Sequence, residues 1–350
     1  MKIWKRSFAF KALSFCILLS QASEAFSIEK YDSTCPCNCG LPEGYLNAEF
    51  IYWKPCTNNL DWAVFSEEDI VAPSNPVGFG KYLFIDPNWE PGFRVKAGKD
   101  QLLCGVGLST SYTYLKAEKN ETKEALQTQT LIPTLVHGGL IPVENFPANF
   151  AIAKWKQRYQ TFDVLLSLPI ECLQCHILTP YVGIEGMILH QSISSEFIIG
   201  EIEDPDESLS SRWESDFFGV GMKVGAFYNF QFNPCLSFFA DVSGSMIPGD
   251  ADMKDNSFVN VDTAADSDLT FHYEDCLLLS GYRIALGLSF QMKILEMQMD
   301  IHGGYEFLRW HDIPNPRRYI QNDGGLALST SPSTSTMGFH GVFLGTEIHF

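Results

Sequence analysis

The final ten residues, Gly341-Val342-Phe343-Leu344-Gly345-Thr346-Glu347-Ile348-His349-Phe350, alternate along an extended chain and stop on an aromatic. Val342, Leu344 and Ile348 fall on one face because successive side chains of a strand point to opposite sides. In an exported chain such an ending predicts a transmembrane β-barrel, whose strands turn an apolar side chain to lipid at every second position. The N-terminal segment predicts export. Lys2, Lys5, Arg6 and Lys11 lead into the apolar run Ala12 to Leu19, and Ser23-Glu24-Ala25 offers a small-x-small cleavage site, so residues 1–25 read as a signal peptide. Cys16 follows the bulky Phe15 where a lipoprotein site needs a small residue, and it reads as signal core.

Past the signal, no stretch is apolar enough for about 18 residues to cross a bilayer as a helix. Strands are therefore the expected spans. Cleavage takes 24 basic and 42 acidic residues to 20 and 41, a formal charge of −21 that disfavours nucleic acid as a partner. Much of the acid is bunched in Glu196 to Asp216 and Asp250 to Asp275, which read as solvated loops.

Period-two alternation marks ten strands: Tyr45 to Lys54, Gly92 to Gly98, Gly105 to Leu115, Ala151 to Leu168, Thr179 to His190, Phe218 to Phe230, Leu236 to Met246, Gly281 to Gln291, Glu296 to Phe307 and the C-terminal strand. Within Ala151 to Leu168 the apolar set changes from Trp155 and Tyr159 to Phe162, Val164, Leu166 and Leu168, which predicts a β-bulge near Gln160. Connections after the even-numbered strands are short and those after the odd-numbered ones long, as expected of periplasmic turns and outer loops. The fold class is thus all-β, a transmembrane antiparallel up-and-down barrel of about 10 to 14 strands. Apolar runs within Asp61 to Pro87 and Thr128 to Phe150 set the upper figure. Residues 26–44 read as a cysteine-containing periplasmic arm and 45–350 as the barrel.

Assigning lipid to the apolar faces leaves Arg94, Lys96, Lys154, Lys156, Arg158, Lys223 and Arg283 lining the lumen on strands 2, 4, 6 and 8. Glu49, Glu296, Asp300, Glu306 and Glu347 do so on strands 1, 9 and 10, so opposite walls are expected to carry opposite charge across a wet pore. The competing expectation is that these charges pair and plug a narrow barrel. No catalytic set is expected. Asp300 and His302 share a lumen face, where polar residues are the default in any barrel. Asp250-Ala251-Asp252-Met253-Lys254-Asp255 lacks the Gly and closing Glu of a calcium loop, and neither a metal nor a cofactor is expected.

The mature chain holds nine cysteines, Cys35, Cys37, Cys39, Cys56, Cys104, Cys172, Cys175, Cys235 and Cys276, all disulfide candidates after export. Cys172-Leu173-Gln174-Cys175 has redox-motif spacing without a βαβ context, so a structural or crosslinking bond is the expectation. The strand order puts Cys104, Cys172, Cys175 and Cys235 at the inner rim with the N-terminal three, which favours disulfide-linked homo-oligomers or bonds to cysteine-rich envelope proteins.

Ala48-Glu49-Phe50-Ile51-Tyr52-Trp53, Leu60-Asp61-Trp62-Ala63-Val64, Pro91-Gly92-Phe93-Arg94-Val95 and Gly304-Tyr305-Glu306-Phe307-Leu308-Arg309-Trp310, with Tyr181-Val182-Gly183-Ile184-Glu185-Gly186 and Phe218-Gly219-Val220-Gly221 between, resemble the Legionella-type major outer membrane protein family. The resemblance runs from about Tyr45 to Phe350 and implies a pore-forming barrel of the outer membrane. The Cys35-Cys37-Cys39 cluster departs from a plain member and suggests a cysteine-crosslinked, chlamydia-like envelope. The expected function is passive diffusion of ions and small hydrophilic solutes, without enzymatic activity. The competing class is a structural envelope protein or adhesin with a plugged lumen. Expected partners are outer-membrane lipid and, through the strand ending at Phe350, the barrel assembly machinery.

Overall fold

The computed structural model describes residues 44–350 apart from 59, 67–79, 104, 127–128, 136–147, 174, 201–204, 262–266, 295–296, 317, 321–328 and 332–333. In chain order its strands are β1 (Tyr45–Thr57), β2 (Asp61–Ser66), β3 (Gly80–Phe84), β4 (Glu90–Leu103), β5 (Val106–Glu124) and β6 (Thr130–Pro133). There follow β7 (Phe150–Ser167), β8 (Ile170–Leu173), β9 (His176–Gly200), β10 (Pro205–Asn233) and β11 (Leu236–Val261). The last are β12 (Ser267–Ile294), β13 (Met297–Pro314), β14 (Arg318–Ile320), β15 (Ser329–Ser331) and β16 (Thr334–His349).

Ten of these close an antiparallel barrel in the order β1, β4, β5, β7, β9, β10, β11, β12, β13, β16, with β16 returning to β1. They correspond one for one to the ten strands of period-two alternation. The apolar runs in 61–87 and 128–150 add no wall strand. They supply β2, β3 and β6, which pair with one another in a separate three-stranded sheet.

The membrane band is written on the outer face. On β12, Tyr282, Ile284, Leu286, Leu288 and Phe290 are between 38% and 52% exposed, too much apolar surface to leave to water. On β10, outward Phe218, Val220, Met222 and Val224 continue the band. Phe218 to Tyr228 is about 33 Å of strand, or about 25 Å along the normal at the usual tilt of about 40°, the height of a lipid-facing band. An aromatic girdle marks its upper edge, with Tyr52 stacked on Trp89 at 5.6 Å and Trp89 edge-on to His340 at 5.4 Å. Tyr305 Oη lies 2.6 Å from His340 Nδ1 in the same girdle.

Above the girdle the wall continues and its polarity inverts. The outward residues of β10 change from Phe218 to Asp216, Glu214 and Arg212, while Phe217, Trp213 and Leu209 stay buried inside. On β11, Asp250, Asp252 and Lys254 face out against buried Ala251, Met253 and Val259. The acidic segments expected as solvated loops are therefore largely strand, in β9 to β12. Their alternation is masked in the sequence because water replaces lipid outside and an apolar core replaces the lumen inside.

The same inversion removes the expected bulge. β7 keeps one register with β5 and β9 throughout, including at Gln160. Trp155, Tyr159 and Asp163 all point inward, and the apparent phase change is the girdle crossing the strand.

At the opposite end the connections are tight. Gly105 takes φ +83°, a left-handed turn conformation that costs glycine little, and Cys175 takes φ +75°. Asn233 Oδ1 accepts the backbone N–H groups of Cys235 and Leu236 at 2.9 and 2.8 Å, closing the β10–β11 turn.

Candidate functional site

Inward positions of the wall converge on a belt of charge. Arg94 on β4 pairs with Glu49 Oε2 on β1 at 2.7 Å and spans to both oxygens of Glu306 on β13 at 3.2 Å. Arg283 on β12 holds Glu306 Oε2 from the other side at 2.7 Å and Asp241 Oδ2 on β11 at 2.5 Å. Tyr181 on β9 donates to the second Asp241 oxygen at 2.6 Å, and Trp53 Nε1 donates to Glu306 Oε1 at 3.0 Å. A second knot forms on β10, where Lys223 Nζ lies 2.9 Å from Asp163 Oδ2 and 3.0 Å from Glu185 Oε1; Ser245 donates to the other Glu185 oxygen.

Strand geometry explains the convergence. Each of these residues occupies the inward parity of its strand, and small residues leave them room. A Cβ on Gly345 would stand 2.6 Å from both Glu49 Cγ and His302 Nε2. The belt is dry: the Glu306 side chain is 1% exposed and that of Arg94 10%.

Aromatic and aliphatic layers pack inside the wall on the outer side of the belt. Trp53 and Tyr159 pack on Phe339 at 5.5 and 4.8 Å, and Trp310 Nε1 donates to Tyr159 Oη at 3.2 Å. The β2–β3–β6 sheet joins that core through buried Trp62, Ala63 and Leu131, with Trp62 6.2 Å from Phe197 of β9. Ser211 Oγ on β10 donates to the carbonyl of Leu135 just beyond β6 at 2.9 Å.

The residues expected to line a pore thus divide. Glu49, Arg94, Lys223, Arg283 and Glu306 meet in the belt. Lys96 takes the inward parity of β4, with its ammonium 5.4 Å from the centre of the Tyr45 ring. Asp300 and Glu347 face each other across β13 and β16 near the turn end. Lys154, Lys156 and Arg158 do not line the lumen: all three are exposed on the outer face of β7 above the girdle, and Trp155, Gln157 and Tyr159 point inward in their place. Glu296 lies outside the described residues. Asp163, Glu185 and Asp241 are belt members that sequence reasoning misses, although they sit at polar positions of their strands' alternation. The expected separation of charge onto opposite walls is replaced by contact pairs.

Asp300 and His302 engage different partners. His302 Nε2 is 3.2 Å from Glu49 Oε1, while Gln291 Nε2 donates to Asp300 Oδ2 at 3.2 Å. Among the cysteines, Cys175 and Cys235 are exposed at the tight turns, and Cys56 and Cys276 are exposed toward the other end of the wall. Cys35, Cys37, Cys39 and Cys104 lie outside the described residues, as does the side chain of Cys172.

Comparison with solved structures gives low-identity likenesses to outer-membrane barrels. The outer membrane protease OmpT of Escherichia coli matches at 10% identity over 87% of this chain and 97% of its own, with a TM-score of 0.44. A major outer membrane protein of Thermus thermophilus matches at 11% identity over 87% and 99%, with a TM-score of 0.27. A Pseudomonas aeruginosa FadL homologue matches at 8% over 89% and 91%, with a TM-score of 0.24. No curated protein matches the chain. The family model described as Legionella pneumophila major outer membrane protein precursor, in contrast, matches residues 34–350. A closed ten-stranded barrel with a lipid-facing band and a family match along nearly its whole length has one reading: the chain belongs to this major outer membrane protein family and resides in the outer membrane.

Proposed function

We propose that the protein is an envelope-building barrel whose resting lumen is sealed, and that its work is done by its outer wall and its cysteines rather than by solute flow. The observation that carries this reading is the belt, where five strands contribute the fully engaged set Glu49, Arg94, Asp241, Arg283 and Glu306 at contact distance. A wet pore exposes its lining charges to water, whereas the side chains of this set are 1% to 19% exposed.

A second reading, passive diffusion of ions and small hydrophilic solutes, draws on the family resemblance and on one feature of the fold. The strands of the β2–β3–β6 sheet ladder with one another rather than with the wall strands, so the sheet is an insert that can be displaced without unzipping the barrel. Displacement alone leaves the belt in place, and conduction requires the ion pairs to part as well. Planar-bilayer recording of the refolded mature chain separates the two readings. The sealed barrel gives no steady conductance. A stable open level in the intact chain, with reversal potential shifted by Arg94→Glu, overturns the reading in favour of the porin.

The reading also includes crosslinking. Exposed Cys175 and Cys235 stand at the tight turns, the end of the wall at which β1 begins, and this supports bonds to neighbouring barrels or cysteine-rich envelope proteins. The strand ending at Phe350 remains the proposed signal for the barrel assembly machinery.

A further inference from the structure

Below the belt, toward the tight turns, the lumen holds a second polar group that the sealed-lumen reading does not use. Asp300 of β13 and Glu347 and His349 of β16 each bring one ligating atom within 4.8 Å of the others. His349 Nε2 is 3.0 Å from Glu347 Oε1 and 3.6 Å from Asp300 Oδ2. The contacts are close, yet neither is an N–H···O hydrogen bond. His349 is 9% exposed, and neither of its ring nitrogens makes a hydrogen bond.

Hydrogen bonds from two side-chain amides hold the carboxylates in place. Asn47 Nδ2 on β1 donates to Glu347 Oε2 at 3.1 Å, which leaves Oε1 facing the imidazole. Gln291 Nε2 on β12 donates to Asp300 Oδ2, the oxygen nearest His349, and Asp300 Oδ1 is buried without a partner. Second groups that hydrogen-bond a carboxylate are how metal ligands are oriented.

We propose that Asp300, Glu347 and His349 form a divalent transition-metal site, with Zn2+ as its best-fitting occupant. Bonds of about 2.0–2.1 Å in a tetrahedron place donor atoms about 3.3 Å apart, close to the separations around His349 Nε2. One imidazole and two carboxylates suit zinc better than calcium or magnesium, which take oxygen ligands alone. Two carboxylates with a neutral imidazole also balance a 2+ ion, and Glu347, the most accessible of the three at 21% side-chain exposure, gives a route in. The site ties together β13 and β16 and, through Asn47, β1, where the last wall strand pairs with the first.

The test uses Co2+, whose absorption reports its ligands, titrated into the refolded mature chain in detergent. The expected result is saturable one-to-one binding with nitrogen and oxygen ligand-field bands and no thiolate charge-transfer band, reversed by Zn2+. His349→Ala and Asp300→Asn should each abolish these bands or weaken binding by more than about 10-fold, and Gln291→Ala should weaken it by about 10-fold by freeing Asp300. Heat-modifiable gel migration confirms that each variant is folded, and Glu347→Gln, which keeps size and shape, replaces any that is not. The proposal is overturned by an absence of saturable binding, which leaves an imidazolium held by two carboxylates. It is equally overturned by binding that survives all the variants, or by a thiolate spectrum, which places the ion on the cysteines. None of these outcomes bears on conductance, so the site and the sealed-lumen reading stand or fall separately.

Discussion

Glu306 is the residue on which the interior turns, since both Arg94 and Arg283 close on its carboxylate. Removing one partner of a buried ion pair leaves a charge in a dry medium, at a cost of about 3–5 kcal/mol, whereas an exposed pair is worth at most about 1 kcal/mol. Glu306→Gln should therefore lower the denaturant midpoint of the refolded barrel sharply. Glu118→Gln, which breaks the exposed Lys116–Glu118 pair, should leave it nearly unmoved. Equal midpoints for the two variants would mean that water reaches the belt. What the sequence reveals at this scale is parity: Glu49, Arg94, Lys223, Arg283 and Glu306 are legible as inward because their neighbours are apolar. Partnership is not legible, since alternation gives the direction of a side chain and not what stands across a lumen. Asp163, Glu185 and Asp241 show this, being readable as polar-face residues and meaningful only once the wall is closed.

At the scale of the strand, β7 carries the clearest lesson. Its parity never changes, yet Lys154, Lys156 and Arg158 face out like Phe162 and Val164 further along. Sequence reading takes apolar to mean lipid, which holds inside the band and reverses beyond it. The location of the girdle is a property of the assembled wall and is not written in any single strand. Facing can be tested by a pair of substitutions. Leu288→Arg, outward on β12 within the band, should cost about 2–4 kcal/mol, while Lys156→Leu, outward on β7 above the girdle, should stay within about 0.5 kcal/mol. Urea titrations of the two variants in liposomes make the comparison. A large loss for Lys156→Leu would place that stretch of β7 against something other than water.

For the whole molecule, the placement of thiols predicts disulfide-linked multimers on non-reducing gels of native membranes, collapsing to monomer with reductant and diminished when Cys35, Cys37 and Cys39 are all changed to Ser. A monomer without reductant removes the crosslinking role and leaves the sealed lumen untouched. Barrel architecture and the ten wall strands are legible in the sequence, because every strand passes through the band where apolar means outward. The height of the wall is not, because its upper part obeys the rules of a soluble protein. That division sets a direction for the protein's birth. During insertion from the periplasm, the leading halves of the β9–β10 and β11–β12 hairpins carry Arg212, Glu214, Asp216, Asp250, Asp252 and Lys254 through hydrocarbon before they reach water. The trailing halves, with Phe218 to Val224 and Ile284 to Phe290, come to rest there. A basic side chain at the bilayer midplane costs about 2–4 kcal/mol, so the toll is kinetic and vanishes once the crossing is complete. Threading is thus slow in both directions, and thinning the bilayer should speed insertion.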